Sequence, residues 1–338
     1  MESQFKLRKH RTRLDLILVW ATASLILCPG CERNRAVNIA FVPRTTAMGL
    51  WEPAHRGADT AAAKVGAHIY WNAPTREDDV EGQISLIDQA VAKHYRGLVI
   101  APDQTLALIT PVRRALAHGI PTVIVSSPLP IPAEEKLFYV LNDDESGGRM
   151  AAQRVGELLH GQGSVAILGI NPDIAGIMAR ARSFEVFLVQ NYPNIHITKR
   201  KGSFNVLHEQ QMAEEVVKSD PNVDAMVGLM WASTRGALSA IRANPRGRAV
   251  KVIGFDPDGA PLPFDIENLD SVIVQDTQAM GEQAVDLIIG SVKGHSASHL
   301  IKIQPTVVTR TNLDSPEIRA LIWMDWKAAP AELATGSP

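Results

Sequence analysis

The chain has 338 residues, with 34 Lys and Arg against 36 Asp and Glu for a formal net charge of -2, and only two cysteines. That balance leaves no electrostatic footprint for nucleic acid, and past Arg35 no basic tract stands out. Cys28 and Cys31 stand close together near the N-terminus, so the rest of the chain has no disulfide, thiolate metal cluster or cysteine nucleophile.

Lys6, Arg8, Lys9, Arg11 and Arg13 make a basic start, and an apolar run over 14–27 follows with Asp15 as its only charge. This is the pattern of an export signal. The run is too short to cross a bilayer of ~30 Å as a helix. Gly30 supplies the small residue that bacterial lipoprotein signals place before the acylated cysteine; Leu27, before Cys28, does not. The segment therefore resembles a lipoprotein signal, residues 1–31, with lipidation at Cys31 and a periplasmic, membrane-anchored product. Cys28 and Pro29 depart from the Leu and the Ala or Ser that such signals prefer.

Without those 31 residues, 307 of the 338 remain, comfortable for two cores. Short apolar, β-branched runs alternate with longer amphipathic stretches, as in parallel sheets covered by helices. Strands are expected at 37–42, 68–71, 97–102 and 121–125, separated by helices at 51–65, 80–93 and 106–118. Ala54, Ala58, Ala61 and Ala62 share one face of the first helix, and Ile84, Ile87 and Val91 one face of the second. The cycle then restarts. Helices at 146–160, 179–192, 208–218 and 233–243 alternate with strands at 164–169, 195–198, 225–229 and 250–255. Such βα units wind right-handedly into open sheets with ligands at the carboxyl ends of the strands.

Two residues at those ends stand out, Asp256 after Val252-Ile-Gly-Phe255 and Gln275 after Ser271-Val-Ile-Val274. By local sequence alone a cap or turn-stabilising role is the favoured reading of Asp256, and the Gln275 amide could cap a turn or face a ligand. The order of segments is what adds specificity. The chain resembles the type I periplasmic binding proteins for ribose, galactose and related sugars, a fold shared with the ligand cores of lactose-repressor-type regulators. The segments that carry the resemblance are 37–57, the strand at 97–102 with Gly119-Ile-Pro-Thr-Val123, and Asn142-Asp-Asp-Glu-Ser-Gly-Gly-Arg149. Ala181-Arg-Ser-Phe184, Gly254-Phe-Asp256, Val272-Ile-Val-Gln275 and the helix at 279–294 continue it.

The resemblance implies two doubly wound α/β lobes joined by a hinge, closing on a sugar or sugar-like molecule. Rings stack on the sugar faces while Asp and Arg together satisfy vicinal hydroxyls. Arg182 matches the family arginine, Asp256 the aspartate, Gln275 the hinge-side glutamine, and Trp51 and Phe204 the stacking aromatics. Glu185-Val186 replaces the family's Gly-Phe after that arginine, which leaves Arg180 as a neighbour able to take its role. Other ligand positions depart from the pattern: Ser126-Ser127 replaces Asp-Arg, Met230-Trp231 replaces a polar pair, and Arg44-Thr45-Thr46 replaces a neutral polar run. These substitutions predict a more aromatic, less polar pocket lined also by Arg44, Ser126, Ser127, Met230 and Trp231.

An enzyme finds little support, with no Gly-x-Gly-x-x-Gly after a strand, Walker loop, His-Glu-x-x-His or Gly-x-Ser-x-Gly. His196, His208 and His295 read as solvated, and Asp78-Asp79, Asp143-Asp144 and Glu214-Glu215 as exposed turns and helix starts. No cofactor or metal is expected. The resemblance implies a monomer that delivers its ligand to an ABC transporter permease, or one that presents its closed state to a receptor. The expected first lobe is 37–142 plus 276–303, the second 143–275 plus 304–312 with a final strand near 305–309, and 313–338 an extension with Trp323 and Trp326. Hinge segments are expected near 141–143, 275–276 and 303–305.

Overall fold

The computed structural model describes residues 37–46, 49–244, 249–257, 262–264, 266–295 and 298–322. The signal segment with Cys28 and Cys31, and the residues from Trp323 onward with Trp326, lie outside the described residues.

The chain alternates strand and helix in two rounds. In the first, β1 (Asn38–Val42), β2 (His68–Trp71), β3 (Gly97–Ile100), β4 (Thr122–Ser126) and β5 (Leu137–Asn142) enclose α1 (Glu52–Ala63), α2 (Val80–Ala92) and α3 (Ile109–Ala117). In the second, α4 (Asp144–Leu158), β6 (Gln162–Ile170), α5 (Ala175–Asn191), β7 (Asn194–Lys201), α6 (Val206–Ser219), β8 (Ala225–Gly228), α7 (Trp231–Ala243), β9 (Lys251–Phe255) and β10 (Leu269–Val274) follow in turn. Then come α8 (Thr277–Val292), β11 (Leu300–Ile303), β12 (Thr306–Thr309) and α9 (Pro316–Ile322). The strands form two six-stranded sheets, ordered β11-β5-β4-β3-β1-β2 and β12-β10-β9-β8-β6-β7. Every pairing is parallel except β10 with β12. This is the expected α/β architecture.

Both faces of each sheet are covered, so the central strands are apolar throughout: β3, Gly97-Leu-Val-Ile100, is buried at every position. In the first sheet, α1 and α8 cover one face through Ala54, Ala58, Ala61, Met280, Ala284 and Ile288. The other face packs on α2 and α3 through Ile87, Val91, Val112 and Ala115. α1 and α8 pack backbone to backbone, because a Cβ on Gly57 would strike the Gln278 carbonyl and one on Gly281 the Ala54 carbonyl. In the second sheet, α4 and α5 cover one face, and α6 and α7 the other. Ile318 of α9 is buried in the latter core, so the described part of the C-terminal extension is a docked helix.

Two strands were absent from the sequence reading. β5 runs straight into the helix cap at Asp143 with no turn residues between, and β11 is a four-residue edge strand with only Ile303 buried. β11 returns to the first sheet from the far end of the chain, as does α8. The backbone therefore passes between the sheets three times, at 142–144, 274–277 and 303–306. Two of these crossings are tied directly: the Asp143 amide donates to the Ile303 carbonyl at 2.9 Å, and Gln304 Nε2 donates to the Asp143 carboxylate at 3.1 Å.

Candidate functional site

The carboxyl ends of both sets of strands point at one another across a cavity. Arg44, just past β1, donates from Nε to the Pro102 carbonyl at 2.9 Å and holds its guanidinium 5.7 Å from the Trp51 ring centroid. Trp51 closes the 3-10 turn Gly49–Trp51 and is buried, its indole N–H without a partner. At the end of β4, Ser126 holds a φ of +69° and accepts from Asn142 Nδ2 at 3.3 Å. From the second sheet, Asp256 follows β9 with a φ of +54°. Non-glycine residues in the left-handed region cost free energy and persist only where the surroundings impose them. Both here stand at strand ends in the cavity wall.

The centre of the second-sheet wall is an arginine clamp. Arg180 on α5 donates from Nε to Asp144 at 2.6 Å, from Nη1 to the Leu229 carbonyl at 2.8 Å, and from Nη1 and Nη2 to Asp256. Its guanidinium also stacks 4.6 Å from the Phe255 ring centroid. Burial opposes its charge, but Asp256 and Asp144 more than compensate and hold its pKa above the ordinary value. The cation is thus fully committed, and it fixes both carboxylates.

Other polar atoms in the wall are uncommitted. Both amide atoms of buried Gln275, the Asn142 Oδ1, the Trp51 indole N–H and one oxygen of Glu77 are buried and lack hydrogen-bond partners. Unpartnered buried polar atoms are rare in folded proteins, and in a cavity wall they mark what a ligand would satisfy. Glu77, from the loop after β2, accepts from Trp231 Nε1 at 3.2 Å through its other oxygen. Burial pushes its carboxyl above the usual range, against the pull of Arg44 and the indoles of Trp231 and Trp51. Asp103 nearby is pushed up to about 8, by burial against Arg44 and with the repulsion of Glu77.

Further contacts join the two sheets' loops over this space. Thr105 donates to the Asp173 carbonyl from its amide at 2.9 Å and its hydroxyl at 2.7 Å, and accepts from the Ala175 amide at 3.2 Å. Ser127 Oγ accepts from the Gly176 amide at 2.8 Å. The arrangement is a closed one. Water centres can occupy about 40 Å³ inside it, room for about three waters.

Nine of the ten expected ligand positions line the cavity: Arg44, Trp51, Ser126, Ser127, Phe204, Met230, Trp231, Asp256 and Gln275. Arg182 does not. Two residues along a helix turn the side chain by about 200°, so Arg182 lies exposed on the outer side of α5 while Arg180 is buried. Glu77, Asn142 and Asp144, which were not among the expected ligand positions, also join the wall. Asp143 and Asp144 are buried rather than exposed: Asp143 caps α4 by accepting from the Ser146 amide, and Asp144 holds Arg180. Among the described residues no group of three or more His, Cys, Asp or Glu is placed to hold a metal ion.

The family model for the periplasmic binding protein domain matches residues 39–296. The chain belongs to that family. Among curated relatives of this periplasmic binding protein, the D-apiose import binding protein of Paraburkholderia graminis is 24% identical over 317 residues, covering 89% of this chain and 96% of the relative. The D-allose-binding periplasmic protein of Escherichia coli is 22% identical over 268 residues, 76% of this chain and 85% of that one. A carbohydrate transporter solute-binding protein from Agrobacterium radiobacter, solved in complex with D-arabinose, superposes with a TM-score of 0.80 at 24% identity over 86% of this chain and all of its own. The type I sugar-binding resemblance read from the sequence is thus shown, and with it the fold.

Proposed function

We infer that this periplasmic binding protein captures one sugar or sugar-like molecule between its lobes and hands it to an ABC importer. The observation that carries the reading is the ring of unpartnered buried polar atoms around one small cavity between the sheets, flanked by Trp51, Trp231 and Phe204. Buried amides and carboxylates without partners are costly, and sugar hydroxyls both donate and accept. Indole and phenyl faces then cover the apolar face of the ring.

The three crossings act as the hinge, and ligand shifts the open and closed populations because only the closed state surrounds it. Thr105, Ser127 and Trp231 bridge the lobes when closed. Cys31 anchors the exported protein to a membrane through acyl chains, with the ligand site held out in the periplasm. Conversion of Cys31 to Ala releases the protein from membrane fractions or blocks its processing; mass spectrometry finding an unmodified mature N-terminus elsewhere would remove the anchor.

Titration of the purified protein with a panel of pentoses, hexoses and cyclitols, read by tryptophan fluorescence and thermal shift, tests the capture itself. A ligand at 100 times its dissociation constant adds about 2.7 kcal/mol to stability. No response from any member of the panel would overturn the reading.

A further inference from the structure

The charges around the cavity do not balance. Arg180 faces two carboxylates, Asp144 and Asp256, and Arg44 faces two more, Glu77 and Asp103. Burial lifts Asp103 to about 8 and pushes Glu77 and Asp144 up as well. Two guanidiniums thus face four carboxyl groups, more than they can pair. Asp144 and Asp256 are engaged by Arg180. Glu77 differs. It is 6% exposed, one oxygen accepts from Trp231, and the other has no partner.

The surroundings of that oxygen are aromatic. Trp231 donates to Glu77 at 3.2 Å, and Trp51 lines the cavity beside it. A buried carboxylate with one free oxygen offers a cation a charge-assisted contact. The same surplus of carboxylates repels anionic ligands, so sugar acids and sugar phosphates are disfavoured. A neutral hydroxyl would satisfy the free oxygen with a hydrogen bond but bring no charge to set against the surplus of carboxyl groups.

We propose that Glu77 is a specificity residue that selects ligands bearing a protonated amino group on a single sugar or cyclitol ring. The proposal deepens the sugar-capture reading and rests on it. Recognition requires ionised Glu77, and the bound ammonium itself favours that form.

Titration calorimetry on the purified protein tests this with matched neutral and amino sugars: glucose with glucosamine, galactose with galactosamine, and mannose with mannosamine. The N-acetyl derivatives serve as uncharged controls of similar bulk. For at least one pair the amino sugar binds about tenfold or more tighter than its neutral and N-acetyl counterparts at pH 7, the gain a charge-assisted contact provides. Glu77→Gln, which keeps the shape and the acceptor for Trp231, brings the ratio of the two affinities close to one. Should that variant fail to fold, the wild-type protein gives a second readout. Its amino preference falls as pH drops and Glu77 gains a proton, whereas N-acetyl binding lacks that dependence. Neutral sugars binding as tightly as amino sugars in every pair would overturn the proposal while leaving sugar capture intact. Binding of no member would overturn both.

Discussion

Arg180 and Arg182 lie two residues apart on the same helix, and their fates on substitution should differ sharply. Arg180→Met keeps the volume and removes the cation, leaving Asp144 sealed in the interior without its partner and Asp256 partly so. Breaking a buried pair in this way costs about 3–5 kcal/mol. At about 2–4 °C per kcal/mol for a chain of this size, the melting temperature falls by roughly 10 °C. The loss also depends on pH. In the variant, Asp144 relieves its burial by taking a proton that the unfolded chain does not bind above about pH 4, so the folded variant binds the extra proton and its stability declines as pH rises. The deficit is therefore larger at pH 7 than at pH 5. Arg182→Met, on the exposed face, stays within about 0.5 kcal/mol of the parent. Thermal melts of both variants by circular dichroism at the two pH values decide it. An Arg180→Met protein melting within two degrees or so of the parent at pH 7, or one indistinguishable from Arg182→Met, would refute the clamp.

Three further outcomes follow from the same geometry. Because folded Asp103 keeps its proton up to about pH 8 while the unfolded chain loses it near 4, stability falls as pH rises through that window by up to roughly 1.4 kcal/mol per unit. Asp103→Asn flattens that slope in denaturant titrations at pH 5 and 8, and an unchanged slope would assign it elsewhere. Asp256→Ala weakens the true ligand by about 2 kcal/mol or more, because it removes an acceptor and loosens Arg180; affinity equal to the parent would take Asp256 out of the site. Gly281→Val drives α8 off α1 and destabilises by at least about 1–3 kcal/mol, whereas Gly290→Val, with open space around its Cβ, costs far less in the same melts.

Most of the architecture was legible because apolar strands and amphipathic helices alternate with different periods, and the carboxyl-end rule then located the site. Arg180 was legible too, had helical spacing been weighed above the motif match. Ile177, Ala181, Phe184 and Leu188 form the buried stripe of α5, and position 180 falls on that stripe while 182 falls opposite. Glu77 was not legible. It stands in the polar run Thr75-Arg-Glu-Asp-Asp79, which reads as a solvated loop, and its partner Trp231 is 154 residues away. Asp144 was hidden for a related reason: next to a helix cap, an acidic residue looks like ordinary N-terminal charge, and only the tertiary approach of Arg180 explains its burial. Asn142 was missed because β5 itself was missed.

The interleaving of the two sheets bears on how the chain acquires its shape as it emerges, N-terminus first. The first five strands are complete by residue 142, yet one face of their sheet is covered only in part, by α1, until α8 brings Met280, Ala284, Val285 and Ile288, and the edge of β5 stays open until β11 arrives at 300–303. Truncation anywhere before residue 303 thus leaves an apolar face or an open strand edge, the surfaces on which chains aggregate. The early half of the chain therefore cannot settle into a finished domain before α8 and β11 have been made.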